Sequence, residues 1–191
     1  MNDKIIKDNI VDGFIADNKL AEAVNHLFEL QKKGWSELKN NYDALSQIKK
    51  NKFHFNGFRI NTQFNPGRLT STSAKTDVIG IQNRKCFLCN ENLPDEQKGI
   101  LIDNELILLI NPYPIFPVHL TIAHTKHIKQ EILPYFDLFI ECTKKLCNQY
   151  TLLYNGPACG ASAPDHLHFQ AGTKSYLQIE DDFHQLKNEY G

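Results

Sequence analysis

The order of apolar and polar positions predicts helices in the first part of the chain. Residues 18–50 place apolar side chains at helical spacing, which predicts two amphipathic helices interrupted near Gly34. Residues 53–64 then alternate around Asn56-Gly57, as the strands of a β-hairpin do. We expect the aromatic side chains of "FHFNGF", residues 53–58, to be core, and stacking on a base is the alternative. A polar loop, residues 65–77, follows this hairpin.

Strand signals dominate the rest of the chain. Residues 100–112 predict strand, turn and strand, and further strands are expected at 119–124, 151–155 and 166–172, while residues 133–150 carry one apolar helical stripe. These elements predict an α+β fold with a mostly antiparallel sheet of about five strands and one helix packed across it. The pattern changes near residue 84, so we expect an N-terminal helical and hairpin extension in 1–84 and the main domain in 85–191.

Composition narrows the possible partners. The 191 residues hold 21 Lys and Arg against 22 Asp and Glu, without a basic tract, which argues against a nucleic-acid partner. No apolar run approaches the roughly 20 residues of a membrane span and none has signal-peptide character, so we expect a cytoplasmic protein without a membrane partner.

The five cysteines do not form the disulfide pattern of a secreted protein. Cys142 and Cys147 are expected to pack as small apolar residues on the helix.

A row of nitrogen-bearing side chains stands in "CGASAPDHLHFQAG", residues 159–172. On a strand, His166, His168 and Gln170 share one face, while Leu167 and Phe169 point into the core. A solvated polar face is the alternative interpretation. A neutral imidazole attacks phosphorus well when a hydrogen bond fixes its tautomer, and an adjacent amide can hold a phosphoryl oxygen. The row therefore indicates phosphoryl-type transfer.

"GASAPDHLHFQ" resembles the active-site signature of the histidine-triad superfamily. The resemblance is to the branch ending His-x-His-x-Gln, with galactose-1-phosphate uridylyltransferase, diadenosine tetraphosphate phosphorylase and GDP-L-galactose phosphorylase. A second motif, "NPYPIFPVHLTIAHTKH", resembles that superfamily's strand from a proline-rich turn to its Pro-Lys-x-His segment. The resemblance covers about residues 84–175 and implies a histidine-triad-like fold. It also implies a nucleotidyltransferase or nucleotide phosphorylase that acts on a nucleoside diphosphate sugar or a dinucleoside polyphosphate.

The resemblance also assigns roles to particular residues. His168 falls on the family's nucleophile, and Gln170 falls on the amide that contacts the phosphoryl group of a nucleotidyl-histidine intermediate. Asn155 and Ser162 lie near the family's substrate-contacting positions. His119 matches a strand histidine near the triad, and it is either a relay to the active site or a core histidine. The implied partners are a nucleotide substrate and a phosphate or sugar-phosphate acceptor.

A metal site is expected at the CxxC pair, Cys86 and Cys89. This spacing suits zinc but needs two further ligands, and a redox pair is the competing interpretation. Zinc-bearing members of the superfamily resemble this chain, which implies His127 and His166 as the other two ligands. His124 is a rival for the third position. Four protein ligands would mark zinc, or a similar metal such as iron, as structural.

Several alternatives remain open from the sequence. Arg68, Lys75 and Arg84 flank the polar loop and either clamp a phosphate or are merely solvated. A hydrolase or phosphoramidase of the histidine-triad type is the second enzyme candidate, and a non-catalytic nucleotide- or zinc-binding module is the third candidate. The chain stops about twenty residues past Gln170, which is shorter than the larger transferases. We expect either a homodimer whose partner supplies the missing half or a fragment.

Overall fold

The computed structural model describes residues 3–56, 58–66 and 78–190. The helices are α1 (Asn9–Ala16), α2 (Leu20–Gly34), α3 (Ser36–Asp43), α4 (Val78–Gln82), α5 (Phe136–Leu146) and α6 (Gln178–Tyr190). The strands are β1 (Lys49–Phe55), β2 (Phe58–Phe64), β3 (Gly99–Ile102), β4 (Leu106–Ile110), β5 (His119–His124), β6 (Tyr150–Leu153) and β7 (His168–Thr173). Short 3₁₀ turns occupy Ala44–Gln47, Asn90–Asn92 and Leu133–Tyr135.

The two predicted N-terminal helices are present as α2 and α3. They are separated at Trp35, whose backbone is extended (φ −131°, ψ 100°) directly after Gly34. An earlier helix, α1, was not predicted from the apolar pattern. Its start is a conventional cap, because the Asp8 carboxylate accepts hydrogen bonds from the amides of Ile10 (3.0 Å) and Val11 (3.1 Å).

Five antiparallel strands form the main sheet in the order β3-β4-β5-β7-β6. The predicted turn between β3 and β4 is present, with Asp103 (φ 50°) and Asn104 (φ 59°) both in the left-handed region that type I′ hairpins require. Helix α5 packs against the sheet. The expected α+β architecture is therefore confirmed.

The two faces of this sheet have different neighbours. One face packs against the helices in a single apolar core that includes Leu27, Leu38, Leu108, Ile122, Leu146 and Phe169. On the opposite face, Ile107, Leu109 and Ala123 pack against the segment that carries Cys86. Because side chains alternate along β5 and β7, the polar residues on these strands that are candidates for function also lie on the second face. The helices thus leave that face available for a site.

The β1–β2 hairpin is present, but its aromatic side chains are not core. Strand pairing places the apolar residues on one face, where they remain 44–61% exposed: Phe53, Phe55, Phe58, Ile60 and Phe64. The expectation of buried aromatics is wrong because the hairpin forms its own two-stranded sheet beside the main sheet. Gly57, at the predicted turn, lies outside the described residues.

The helix predicted over 133–150 is shorter than expected. Its α-helical part spans Phe136–Leu146, and its buried residues are Cys142 and Leu146. Cys142 packs as predicted, whereas Cys147 is exposed, because the helix ends at Leu146 and the chain turns toward β6. The expectation that Cys147 packs is wrong.

The core extends across the expected boundary near residue 84. Residues from α2 and α3 share one apolar cluster with residues from the main sheet, so the division into 1–84 and 85–191 stays a prediction. Among the described helices, none combines the length and apolarity that crossing a bilayer requires.

Gly172 provides a test of how closely β7 packs. A Cβ atom at this position would lie 2.5–2.6 Å from the Phe116 ring. We expect Gly172→Ala to lower the free energy of unfolding by about 1–3 kcal/mol, because overpacking forces the ring or strand to move. Urea denaturation measures the change.

Gly13→Ala is the matched control for this substitution. Nothing lies within 4 Å of the added Cβ there, and Gly13 is in a helix. Alanine should therefore raise the free energy of unfolding by about 0.5–1 kcal/mol. Equal stabilities for the Gly172→Ala variant and the wild type would contradict the packing described for Phe116.

Candidate active site and metal centre

The predicted row of polar side chains divides between two places. β7 begins at His168, two residues later than expected, and His168 and Gln170 lie on the face opposite the helices. Leu167 and Phe169 are fully buried on the helical side, as predicted. His166 precedes the strand and contacts the thiol pair instead. The same short segment therefore supplies both a cleft and a possible metal centre.

The imidazole of His168 has one defined tautomer. Its Nδ1 lies 2.8 Å from the backbone oxygen of His166, and only a protonated nitrogen can donate to a carbonyl. Nδ1 therefore carries the hydrogen and Nε2 keeps its lone pair. Burial lowers the pKa of His168, which favours the neutral ring. This is the state that a nitrogen nucleophile requires.

Gln130 fixes the backbone of His168 and was not predicted. Its side-chain oxygen accepts a hydrogen bond from the amide of His168 (2.7 Å), and its side-chain nitrogen donates to the carbonyl of His168 (3.1 Å). The same nitrogen donates to the carbonyl of Asn155 (2.9 Å). Gln130 is only 1% exposed, so these bonds form away from water. The nucleophile candidate is therefore held by both its side chain and its backbone.

His119 positions Gln170 rather than His168. The Nε2 atom of His119 lies 2.9 Å from the side-chain oxygen of Gln170 and donates to it, which leaves the amide nitrogen of Gln170 as the donor for a ligand. The backbone of His119 is bonded to the Tyr42 hydroxyl, and its ring packs edge-on against Phe116 at 5.2 Å. His119 is therefore placed to orient the side chain of Gln170. Its role as a relay to the active site stays a prediction.

A cleft of about 490 Å³ joins these side chains. Its polar lining includes His119, Asn155, Ser162, His168 and Gln170, all of which were expected at the site. The apolar lining includes Trp35, Leu88, Leu93 and Leu109. Trp35, which lies between α2 and α3, and Glu37, which lies in α3, were not predicted to reach the site. Both are far in sequence from the other residues of the lining.

Of the three expected phosphate clamps, Arg84 is the one within the described residues, and it does not line this cleft. Arg68 and Lys75 lie outside the described residues. Arg84 is described, but its guanidinium forms an ion pair with Asp165 (2.7 Å) and lies over the Phe87 ring. Arg84 therefore supports the loop before β7.

The four predicted metal ligands do come together. Atoms of Cys86, Cys89, His127 and His166 that can bind a metal all lie within 4.8 Å of one another. The Nδ1 atom of His166 is 3.3 Å from the Cys86 sulfur, and the Nδ1 atom of His127 is 3.2 Å from the Cys89 sulfur. Two thiols and two imidazoles form a donor set that suits a tetrahedral metal.

Neighbouring groups orient these four side chains. The Nε2 atom of His166 donates to the carbonyl of His124 (2.8 Å), which leaves Nδ1 available as a ligand atom. The Nε2 atom of His127 faces the Asp165 carboxylate at 3.7 Å. The ring of His124, the rival ligand, accepts a hydrogen bond from the amide of Lys126 (3.0 Å). The cluster of possible ligands contains His127 and not His124.

Without a bound cation, the Cys89 thiol is held in its protonated form. Burial, with a further contribution from Cys86, raises the pKa of the Cys89 thiol to about 12. Two adjacent thiolates would also repel each other. A bound divalent cation reverses this preference, because its positive charge stabilises thiolates.

Gln130 can be tested by removing its polar atoms at nearly constant volume. Gln130→Met would leave the amide of His168 and two carbonyls without these partners. We expect the free energy of unfolding to fall by at least about 3 kcal/mol, because three polar groups lose a partner and each unpaired buried polar group costs about 1–3 kcal/mol. Chemical denaturation measures this loss.

Gln47→Met, at an exposed position, is the control and should change stability by less than about 0.5 kcal/mol. If both variants were as stable as the wild type, Gln130 would not hold β7 as described.

Three solved structures are similar to part of this chain. A HIT family hydrolase from Clostridium thermocellum shares 19% identity, with 48% of this chain and 90% of that chain covered and a TM-score of 0.36. A histidine triad protein from Clostridium difficile shares 18% identity, with 48% of this chain and 90% of that chain covered and a TM-score of 0.34. A yeast Ap4A phosphorylase in complex with AMP shares 17% identity over 80% of this chain and 52% of that chain, with a TM-score of 0.43.

Sequence comparison gives the family. No curated protein matches the chain. A family model described as a domain of unknown function, DUF4922, matches residues 27–173, which include α3, the hairpin, the whole main sheet and every described residue of the site. The chain belongs to the DUF4922 family.

Proposed function

We propose that this protein is a nucleotidyltransferase or nucleotide phosphorylase of the histidine-triad type. Its substrate class would be a nucleoside diphosphate sugar or a dinucleoside polyphosphate. The observation that carries the proposal is the buried neutral imidazole of His168, fixed at Nδ1 by the His166 carbonyl, on the wall of a cleft beside the Gln170 amide. An imidazole held in this way presents Nε2 as a nucleophile.

The reaction would consist of two displacements at phosphorus. In the first, the Nε2 lone pair of His168 attacks the α-phosphorus, a P–N bond forms, and the bond to the bridging oxygen breaks with its electrons leaving on that oxygen. In the second, an oxygen of phosphate or a sugar phosphate attacks phosphorus, and the P–N electrons return to Nε2. Positioning and charge stabilisation supply most of the catalysis in such transfers. Two in-line steps retain configuration at phosphorus.

Gln170 favours transfer over hydrolysis. A third histidine at this position could exchange protons with water or a leaving group, whereas an amide only donates and accepts hydrogen bonds. The contact with His119 orients the amide so that its N–H groups are the free donors. They would stabilise the negative oxygens of the phosphoryl group in the transition state. The covalent intermediate would then persist until a phosphate-bearing acceptor arrives.

The cleft has room for such a substrate. Its volume of about 490 Å³ lies within the range of about 300–1,000 Å³ that is usual for ligand pockets. The apolar side chains of Trp35, Leu88 and Leu109 would contact a nucleobase, while Ser162 and the turn at Gly160 lie with His168 on the polar lining. We infer that the extension in 1–84 completes the substrate site, since it supplies Trp35.

The metal centre would hold zinc and serve structure. Four protein ligands would fill a tetrahedral shell, so no position would remain for a reacting water molecule. When bound, zinc would convert the thiols to thiolates and fix both imidazoles. His166 would then be anchored through its side chain while its carbonyl orients His168. Iron is the second metal that this donor set accommodates.

The covalent intermediate provides the test of the enzymatic proposal. The protein should be mixed with a panel of nucleoside diphosphate sugars and dinucleoside polyphosphates and then examined by intact-protein mass spectrometry. We expect an added nucleotidyl mass that is labile in acid and stable in base, and His168→Ala should abolish it. His54→Ala removes an exposed hairpin histidine and should leave the adduct unchanged.

The same mixtures distinguish the other two candidate functions. A hydrolase or phosphoramidase would release nucleoside monophosphate at the same rate with and without phosphate. A non-catalytic binding module would retain the nucleotide without any covalent adduct. Either result would contradict the transfer proposal.

The metal proposal makes a separate prediction. Purified wild-type protein should contain about one zinc ion per chain by elemental analysis, as a tetrahedral four-ligand site requires. Cys89→Ser should lose most of this zinc and unfold at a lower temperature, since metal binding stabilises the folded state. Cys147→Ser changes an exposed cysteine outside the cluster and should keep both the zinc and the stability. If removal of the metal left the unfolding temperature of the wild-type protein unchanged, that result would contradict the proposed site.

A further inference from the structure

We propose that a second cleft, beside the hairpin, binds a small phosphate ester that carries hydroxyl groups, with sugar phosphates as the ligand class. This cleft has a volume of about 750 Å³ and lies between β1–β2, the loop around Ile115 and the start of α6. It is a different cavity from the cleft that contains His168. The inference is independent of the reaction proposed there.

The charge of the lining selects for anions. Lys50 and Lys52 both line the second cleft, and they share one face of β1 because they are two residues apart. Among the described lining residues there is no Asp or Glu. An ammonium group is a compact cation with three donors, which suits a phosphate.

The rest of the lining suits hydroxyl groups. Five Asn or Gln residues line the cleft, and two of them, Asn61 and Gln63, stand directly across the strand pair from Lys52 and Lys50 and share their face. An amide both donates and accepts, as a sugar hydroxyl does, so the two can pair in either direction. The Tyr176 ring adds an apolar surface. The lining therefore suits a hydroxylated anion better than a bare one.

Hydrogen bonds hold these groups in place without a ligand. The Tyr176 hydroxyl accepts from the Lys50 ammonium (2.9 Å) and donates to the side-chain oxygen of Gln63 (3.2 Å). Asn65 donates to the carbonyl of Pro114 (3.2 Å) and so ties the hairpin to the adjoining loop. A preformed arrangement lowers the entropy cost of binding.

The second cleft also contacts the groups that hold Gln170. Phe116 lines the cleft and packs edge-on against both Tyr176 (5.5 Å) and His119 (5.2 Å). His119 in turn donates to Gln170. A ligand in the second cleft would therefore contact side chains that pack directly against the first cleft.

Nuclear magnetic resonance titration tests the proposal with three probes: glucose 1-phosphate, inorganic phosphate and glucose. We expect glucose 1-phosphate to shift the side-chain amide resonances of Asn61 and Gln63 in a saturable way, and the other two probes to bind more weakly. Lys50→Gln/Lys52→Gln should weaken this binding about ten-fold, because hydrogen bonds to charged groups are strong. Lys7→Gln/Lys33→Gln makes the same change of net charge at exposed positions outside the cleft lining and should bind normally.

The double variant removes the Lys50–Tyr176 contact and could therefore disturb the hairpin. The single variant Lys52→Gln retains this contact and tests the proposal in that case. It should weaken binding several-fold while the unbound spectrum stays unchanged. Shifts confined to Ser162 and Gln170 would place the ligand in the first cleft and overturn the proposal. Equal affinity of the wild type for glucose and for glucose 1-phosphate would overturn the proposal as well. So would equal affinity of the two double variants for glucose 1-phosphate. None of these outcomes depends on whether His168 forms a nucleotidyl adduct.

Discussion

The candidate site depends on the way His166 joins the cluster of possible metal ligands to His168. Its Nδ1 atom faces the two thiols, its Nε2 atom donates to the carbonyl of His124, and its own carbonyl accepts from Nδ1 of His168. These three contacts determine the orientation of His166, the tautomer of His168 and the geometry of the turn into β7. A buried histidine with three different partners can adopt few other positions, so the arrangement is rigid before any substrate binds.

The sheet supports this arrangement from its two faces. The helical face provides a continuous apolar core, which holds β5 and β7 in register, and the other face carries the polar groups of the candidate site. Gln130 adds a buried clamp on the backbone of His168, and His119 orients Gln170 from the neighbouring strand. Preorganisation of this kind matters for phosphoryl transfer, since fixed donors need no rearrangement as charge develops. The rigid scaffold is therefore part of the proposed chemistry.

Local patterns predicted much of this arrangement. The alternation around His168 and Gln170 predicted the correct faces, and the polar break within residues 100–112 predicted the correct hairpin. The family resemblance identified four candidate ligand positions that the fold brings together. Each of these features depends on residues close in sequence or on a known spacing.

Other features depend on tertiary contacts and could not be predicted in this way. Gln130 lies in an ordinary polar segment, and only the packing of that segment against β7 reveals its role. The alternation in the hairpin was correct, but alternation alone does not say whether another layer covers the apolar face. Trp35 reaches the cleft because two helices pack against a sheet that follows much later in the chain.

The most direct measurement is a long-range ¹H–¹⁵N spectrum of histidine-labelled protein, recorded before and after the nucleotidyl donor is added. We expect His168 to be neutral with its hydrogen on Nδ1, and phosphorus then to bond to Nε2 of the same ring. An Nε2–H tautomer in the free protein, or phosphorus on any other histidine, would contradict the proposed role of His168.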